Sequence, residues 1–369
     1  MSDGAVSGRF PDFPWDTIAD AKARAAAHPD GIVDLSIGTP VDDAPPVARE
    51  ALSAASNAPG YPTVLGPEAM RQAAVDWLAR RFGVTGVGPE HVLATIGSKE
   101  LIGNLPVQLG LGPDDLVVIP ELAYPTYEVG ARYAGCGVIA ADSTVALGPE
   151  RPALVYVNSP ANPHGAILGA DHLRKLVEWT RERGALLVSD ECYLEFGWDA
   201  EPATVLDPAI NGGSLDGILA VHSTSKRSNL AGYRAAFVAG DAAVVGELLA
   251  VRKHLGFMVP APVQAALTAV LSDDTHVDEQ RERYAARRAS MRDALLAAGF
   301  AIDHSEGSLY LWATRDEPCR DTVASLAELG ILVAPGDFYG PRGANHVRVA
   351  FTATDERIAA AVARLTSRG

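Results

Sequence analysis

The sequence predicts an α/β protein: a mostly parallel, buried sheet with helices on both faces, followed by a smaller α+β unit. Three observations carry this expectation. Short apolar runs alternate with longer amphipathic segments through the first two thirds of the chain. Polar and ionisable residues gather just past the ends of several of those runs. In the last third, strands and helices stop alternating strictly.

In chain order, a short strand at Val92–Ile96 leads into "GSKE" (Gly97–Glu100), which opens a helix. "LVVIP" (Leu116–Pro120), "ALVYVN" (Ala153–Asn158), "ALLVSDE" (Ala185–Glu191), "GILAVHS" (Gly217–Ser223) and "AAFVAG" (Ala235–Gly240) follow. They are continuous apolar runs rather than alternating ones, as expected of strands buried on both faces. The segment "GADHLRKLVEWTRERG" (Gly169–Gly184) places Leu173, Leu176, Val177 and Thr180 on one helical face, and Gly184 suits the stop. "GFMVPAPVQ", around Gly256–Pro262, interrupts the pattern. Beyond it come a long charged-faced helix (Val277–Phe300), strands at Ser308–Ala313 and Val347–Thr352, and helices at Thr322–Leu329 and Asp355–Leu365. The expected division is an N-terminal segment over 1–45, a large domain over 46–256 and a small domain over 257–369.

The chain has 369 residues, enough for two domains and a core that needs no disulfide or metal staple. Its net charge of −15 argues against a nucleic-acid surface and against anionic membranes. The three cysteines, Cys136, Cys192 and Cys319, are far apart and in no metal spacing, so they read as buried thiols in a reducing compartment. "MSDGAVSGRFPDFPWD" has no apolar core of a signal peptide, and no segment approaches a membrane span. A cytoplasmic location is expected.

Open α/β sheets bind ligands outside the carboxyl ends of their strands. Past Ala153–Val157 stands "NSPANPHG"; Asp190, Glu191 and Tyr193 close the next run; past Ile218–His222 stands "STSKRSNLAGYR", Ser223–Arg234. Singly, Lys226 reads as a solvated lysine, Asp190 as a cap or ion-pair partner, Asn162 as a turn residue and Ser223 as a cap. Jointly they supply what pyridoxal 5'-phosphate (PLP) requires: an amine, an acid near the ring nitrogen, a donor near the ring hydroxyl oxygen and donors for the phosphate. Lys226 offers the amine, Asp190 the acid, and Ser223, Ser225 and Arg234 the phosphate donors.

These stretches resemble the fold-type I PLP-dependent aminotransferases. "STSKRSNLAGYR" matches the family's Ser-x-Ser-Lys-x-x-x-x-x-Gly-x-Arg signature, "NSPANPHG" resembles Asn-Pro-x-Asn-Pro-Thr-Gly, and "SDECYLEF" resembles Asp-Glu-x-Tyr-x-x-Phe. The resemblance runs from about Asp12 to the C-terminus and implies a mostly parallel seven-stranded sheet in the large domain. It implies Lys226 as the lysine that joins the cofactor. Asp190 would partner the ring nitrogen, with Tyr193 and Asn162 at the ring hydroxyl oxygen. Gly97, Ser98 and the Lys99 backbone would sit at the phosphate, with Tyr124 stacked on the ring. It further implies Gly38 ("DLSIGTP") and Arg348 ("HVRVAF") at the substrate, Arg348 gripping the α-carboxylate. Tyr61 ("GYPTVLG") would reach the neighbouring subunit's phosphate, which implies a homodimer with two shared sites. His164 departs from the usual threonine and Thr224 from the usual hydrophobic residue.

Four longer stretches, "RFPDFPWDTIADAKARAAAHPDGIVDLSIGTPVD", "SKRSNLAGYRAAFVAGD", "VRKHLGFMVPAPVQAAL" and "LVAPGDFYGP", are similar to actinobacterial succinyldiaminopimelate aminotransferases. The similarity implies N-succinyl-2,6-diaminopimelate with glutamate and 2-oxoglutarate, in lysine and cell-wall precursor synthesis. Arg227, Arg252 and Lys253 are candidates for the substrate's distal carboxylates by charge and location. Phe13, Pro14 and Trp15 are candidates to cover the site. The rival readings are aspartate or broad-specificity amino acid transamination, a C–S lyase on the same fold, and a PLP-sensing regulator. The regulator is disfavoured by the missing DNA-binding extension and basic face.

Overall fold

The computed structural model describes residue 10 and residues 12–367; residues 1–9 of the expected N-terminal segment lie outside the described residues. Seven strands form the large sheet: β1 (Val92–Thr95), β2 (Leu116–Ile119), β3 (Gly137–Ala140), β4 (Leu154–Asn158), β5 (Leu186–Asp190), β6 (Ile218–Ser223) and β7 (Ala236–Gly240). Their spatial order is β1-β7-β6-β5-β4-β2-β3. Strands β4, β6 and β7 are buried at every position, as is β5 apart from its first residue, which is why their sequences do not alternate.

One strand runs against the rest. β7 pairs antiparallel with both β6 and β1. The cause lies in residues 224–235, which turn back at the end of β6 without the crossover that a parallel neighbour needs.

The expected helix at Gly169–Gly184 spans Ala170–Arg183. Leu173, Leu176, Val177 and Thr180 are its buried residues, and Gly184 closes it at φ 68° in the left-handed conformation. The link from β3 to β4 is shorter, with only the helix Thr144–Leu147. Beside it a cavity of about 680 Å³ opens on the sheet face, with Val118, Val155 and Val157 in its wall.

A second sheet has four antiparallel strands, β8 (Ala301–Asp303), β9 (Tyr310–Thr314), β10 (Ala334–Pro335) and β11 (Val347–Ala350), in the order β10-β11-β9-β8. The long helix Thr275–Ala297 and the closing helix Asp355–Thr366 pack on one another beside it. Val33–Asp34 pairs in parallel with Ile331–Leu332 and ties the N-terminal segment to this unit. The helix Ala261–Leu271 packs instead on the helices Pro46–Ala54 and Glu68–Phe82. Its Leu267 and Leu271 share a core with Trp77 and Phe237 of the large layer. The chain thus stays with the large sheet beyond Gly256. Among the described residues no helix is long and apolar enough to cross a membrane.

Candidate active site

The carboxyl ends of β4, β5 and β6 meet at one cavity of about 430 Å³. Parallel register sets Asn158 beside Asp190, and Asp190 beside Val221. Of the residues the sequence singled out, Gly38, Ser98, Lys99, Tyr124, Asn162, Asp190, Tyr193, Ser223, Ser225, Lys226, Arg234 and Arg348 all line this cavity. Gly97 is not among them but adjoins Ser98 and the Arg234 guanidinium. Tyr61 does not line it: its side chain is 97% exposed on the single chain.

Lys226 lies in the short helix Thr224–Arg227, capped by the Ser223 hydroxyl, which accepts the Ser225 N–H at 3.2 Å. The Lys226 amine donates to the Gly38 carbonyl. Burial lowers its pKa from the ordinary 10.5, and the nearby Arg348 and Arg234 guanidiniums push the same way against Tyr310. Thr224 faces inward and donates to the Ala235 carbonyl at 2.8 Å, so its departure from the family pattern braces the loop.

Asp190 is buried, and burial raises its pKa. The Tyr127 hydroxyl donates to its Oδ2 at 2.8 Å and the Cys192 N–H to its Oδ1 at 3.2 Å. Among the described residues no cation lies within ion-pair distance of it. A buried carboxylate so placed calls for a positive partner. Asn158 donates to the Asp190 carbonyl at 2.8 Å and accepts the Asn162 N–H at 2.7 Å, which fixes the loop that presents Asn162.

Arg348, buried on β11, donates from Nη1 to Asn162 Oδ1 and from Nη2 to the Ser36 carbonyl, each at 2.7 Å. Its guanidinium lies 4.1 Å from the centre of the Tyr310 ring and 5.0 Å from that of Tyr339. The Tyr193 and Tyr310 hydroxyls share a hydrogen bond of 2.7 Å. Gly38 must lack a side chain, because a Cβ there would collide with the Tyr310 phenol.

Gly97, at φ 76°, caps the helix Ser98–Gln108, and a Cβ there would strike the Arg234 guanidinium. Arg234 is itself in the left-handed conformation at φ 54°, and its Nη1 donates to the Ala231 carbonyl at 2.9 Å. Helix N–H groups, a guanidinium and the Ser223, Ser225 and Ser98 hydroxyls therefore border one side of the cavity. That donor set suits a phosphate. With the Lys226 amine and the unpaired Asp190 carboxylate it fits PLP.

Three participants escaped the sequence reading: Asn158, Tyr127 and Tyr310. Asn158 stands in the quoted "NSPANPHG" and Tyr127 three residues after Tyr124, so the signal lay beside residues already singled out. Tyr310 had none beyond its place on an apolar strand. None of the three candidates for distal carboxylates lines the cavity. Arg227 is buried, with its Nε on Glu195 Oε1 at 3.2 Å. Arg252 is buried against Glu100, with Nη2 on Oε2 at 2.8 Å. Lys253 is exposed and does not line the cavity. His164 faces the separate cavity beside β3 and β4, where burial lowers its pKa to about 4.

Fold and site together define a PLP-dependent aminotransferase, and the chain belongs to the aminotransferase class I and II family, whose description matches residues 30–365. It is 65% identical over 363 residues to a probable aminotransferase of Mycobacterium tuberculosis, covering 98% of this chain and 87% of that one. It is 59% identical over 357 residues to the 4-dedimethylamino-4-oxo-anhydrotetracycline transaminase of Streptomyces rimosus, covering 97% and 99%. Among solved structures, a probable N-succinyldiaminopimelate aminotransferase from Thermus thermophilus superposes with a TM-score of 0.86 at 26% identity, covering 96% of this chain and 100% of that one.

Proposed function

We propose that the enzyme transfers the amino group of N-succinyl-2,6-diaminopimelate to 2-oxoglutarate, yielding glutamate, in lysine and diaminopimelate synthesis, as a cytoplasmic homodimer. One observation carries the substrate reading. A second cavity of about 780 Å³ adjoins the first and shares Trp15, Lys99 and Tyr124 with it. The Lys99 ammonium stands there, 5.8 Å from the centre of the Phe13 ring, with no carboxylate in ion-pair distance among the described residues. In this reading, an acidic arm extending from a carboxylate held at Arg348 would pair with that ammonium. Phe13 and Pro14 wall this second space and Trp15 borders both.

In this reading Arg348 holds the α-carboxylate and the Gly38 backbone meets the substrate. PLP, when bound, supplies a ring that takes up the negative charge developing at the substrate's α-carbon. Lys226 Nζ would take the proton from that carbon and hand it to the cofactor side rather than back to the same carbon, and its lowered pKa keeps more of the amine neutral for the task. Asp190 would balance positive charge on the ring nitrogen. Tyr193 and Asn162 would hold the ring hydroxyl oxygen and Tyr124 would stack on the ring. Gly97, Ser98, the Lys99 backbone, Ser223, Ser225 and Arg234 would hold the phosphate, with Tyr61 of the partner subunit. Donor and acceptor use one site in turn, so ping-pong kinetics follow.

The aromatic walls of the second cavity, including Phe10, Phe13, Trp15, Tyr133 and Phe338, favour a second reading. A tetracyclic ketone of the kind named for the Streptomyces relative would stack its rings there. Comparison of kcat/KM for N-succinyldiaminopimelate, aspartate, alanine, an aromatic amino acid and a tetracyclic ketone decides between them. The succinylated diamino acid should lead, and Lys99→Ala should lower its kcat/KM about tenfold, the scale of one charged hydrogen bond, while sparing alanine. A lead by the tetracyclic ketone would replace this substrate assignment. Release of ammonia and pyruvate without a keto acceptor would indicate lyase chemistry.

A further inference from the structure

Below the strand ends, behind the substrate cavity, several buried polar atoms stand without partners. Glu191, next to Asp190, accepts the Val205 N–H on Oε1 at 2.9 Å, while its Oε2 has no hydrogen-bond partner. His222 on β6 is buried, and neither ring nitrogen has a partner. The separation of Glu191 Oε2 and His222 Nε2 is 3.7 Å, too long for a direct hydrogen bond. Arg227 donates from Nη1 to the Val270 carbonyl at 2.8 Å, but its Nη2 has no hydrogen-bond partner.

All three side chains line one small space of about 10 Å³. The Trp77 and Phe237 rings wall it, their centres 5.2 and 5.0 Å from that of His222. A space of this order holds one water, provided two to four polar groups receive it. The Glu195, Ser223 and Thr224 side chains line it too, and an empty space would leave Glu191 Oε2, Arg227 Nη2 and both His222 ring nitrogens without partners.

We propose that a single water molecule occupies this space and bridges Glu191, His222 and Arg227, with Glu191 in its protonated form. The Glu191 hydroxyl and the Arg227 Nη2–H donate to the water, and the water donates to a ring nitrogen of His222. The surrounding charges agree. Asp190 and Glu195 already bring negative charge to this floor, and Arg227 is paired with Glu195. Burial pushes the Glu191 carboxyl up to about 7 and the His222 imidazole down to about 3, so the proton rests on the acid below neutral pH.

The three groups belong to the end of β5, to β6 and to the helix Thr224–Arg227. Those same elements carry Asp190, Ser223, Ser225 and Lys226. The water therefore braces the floor on which they stand, and Glu191 and His222 are positioning residues.

A crystal structure of the holoenzyme, at a resolution that shows ordered water, tests this without any substitution. One density peak within hydrogen-bond distance of all three side chains is expected. An empty space, or Glu191 and His222 in direct contact, would overturn the bridge. Infrared difference spectra of wild type and Glu191→Gln, below neutral pH, should show the loss of an un-ionised carboxyl band. Loss of a carboxylate band instead would overturn the protonation state. Glu191→Gln should also leave unmoved the pH at which the holoenzyme's visible absorbance changes, since it replaces one neutral group by another. A fall in that pH would mean that a negative charge had been removed. Activity toward any given amino donor bears on the substrate reading and leaves these outcomes untouched.

Discussion

Arg348→Ala removes the only guanidinium aimed at the Asn162 and Ser36 oxygens among the described residues. KM for both amino donor and keto acceptor should rise about 10- to 100-fold, since a hydrogen bond to a charged group contributes about 1.5–3 kcal/mol. An unchanged KM in steady-state kinetics would refute the grip. Lys226→Ala should abolish turnover and the covalent attachment of cofactor that borohydride makes permanent as it bleaches the visible absorbance; retained turnover would sink the mechanism. Asp190 gives a pH prediction. Burial raises its pKa in the free protein, and a cationic partner must lower it, so cofactor binding favours the ionised form. PLP affinity, measured by equilibrium titration, should therefore hold at higher pH and fall as pH drops through the raised value. At this scale the sequence was most legible where residues with one task stand close together, as in Ser223–Arg234. Tyr310 stayed hidden because its partners, Tyr193 and Arg348, come from remote segments that only folding brings near.

Elements were legible wherever burial is uniform. β4, β5, β6 and β7 were read from apolar runs that the sheet buries almost throughout. The edge strand β3 was not, because its apolar stretch Val138–Ala141 is short and no position of the strand is fully buried. The direction of β7 was equally unreadable, because an apolar run carries no sign of which way it points. Glycine matters where elements meet at the phosphate side of the site. Gly97→Ala would force a side chain into the Arg234 guanidinium at a positive φ. PLP affinity should fall at least tenfold, while far-UV circular dichroism stays unchanged. Wild-type affinity would show that this corner is not a cradle.

For the whole molecule, we propose that the two units divide after Leu271 rather than after Gly256. The helix Ala261–Leu271 shares its core with the large sheet, and Thr275 opens the helix that packs beside the small one. The exposed Tyr61 ring sets up a test of assembly. Tyr61→Ala and Lys226→Ala should each impair the enzyme alone, whereas subunits mixed by denaturation and refolding should regain activity, because one site of the mixed dimer keeps both natural residues. No regain would mean that Tyr61 serves no partner. One contact also joins the two sheets across the site. Arg348 comes from β11, facing Trp312 and Ala334 in register, while Asn162 comes from the loop beyond β4. Before any substrate arrives, this latch is already fastened on a neutral amide. We propose that an amino acid enters by exchange, offering the arginine a full negative charge in place of a dipole, and that an amine without a carboxylate, with nothing to offer in that trade, meets a fastening the protein has already made to itself.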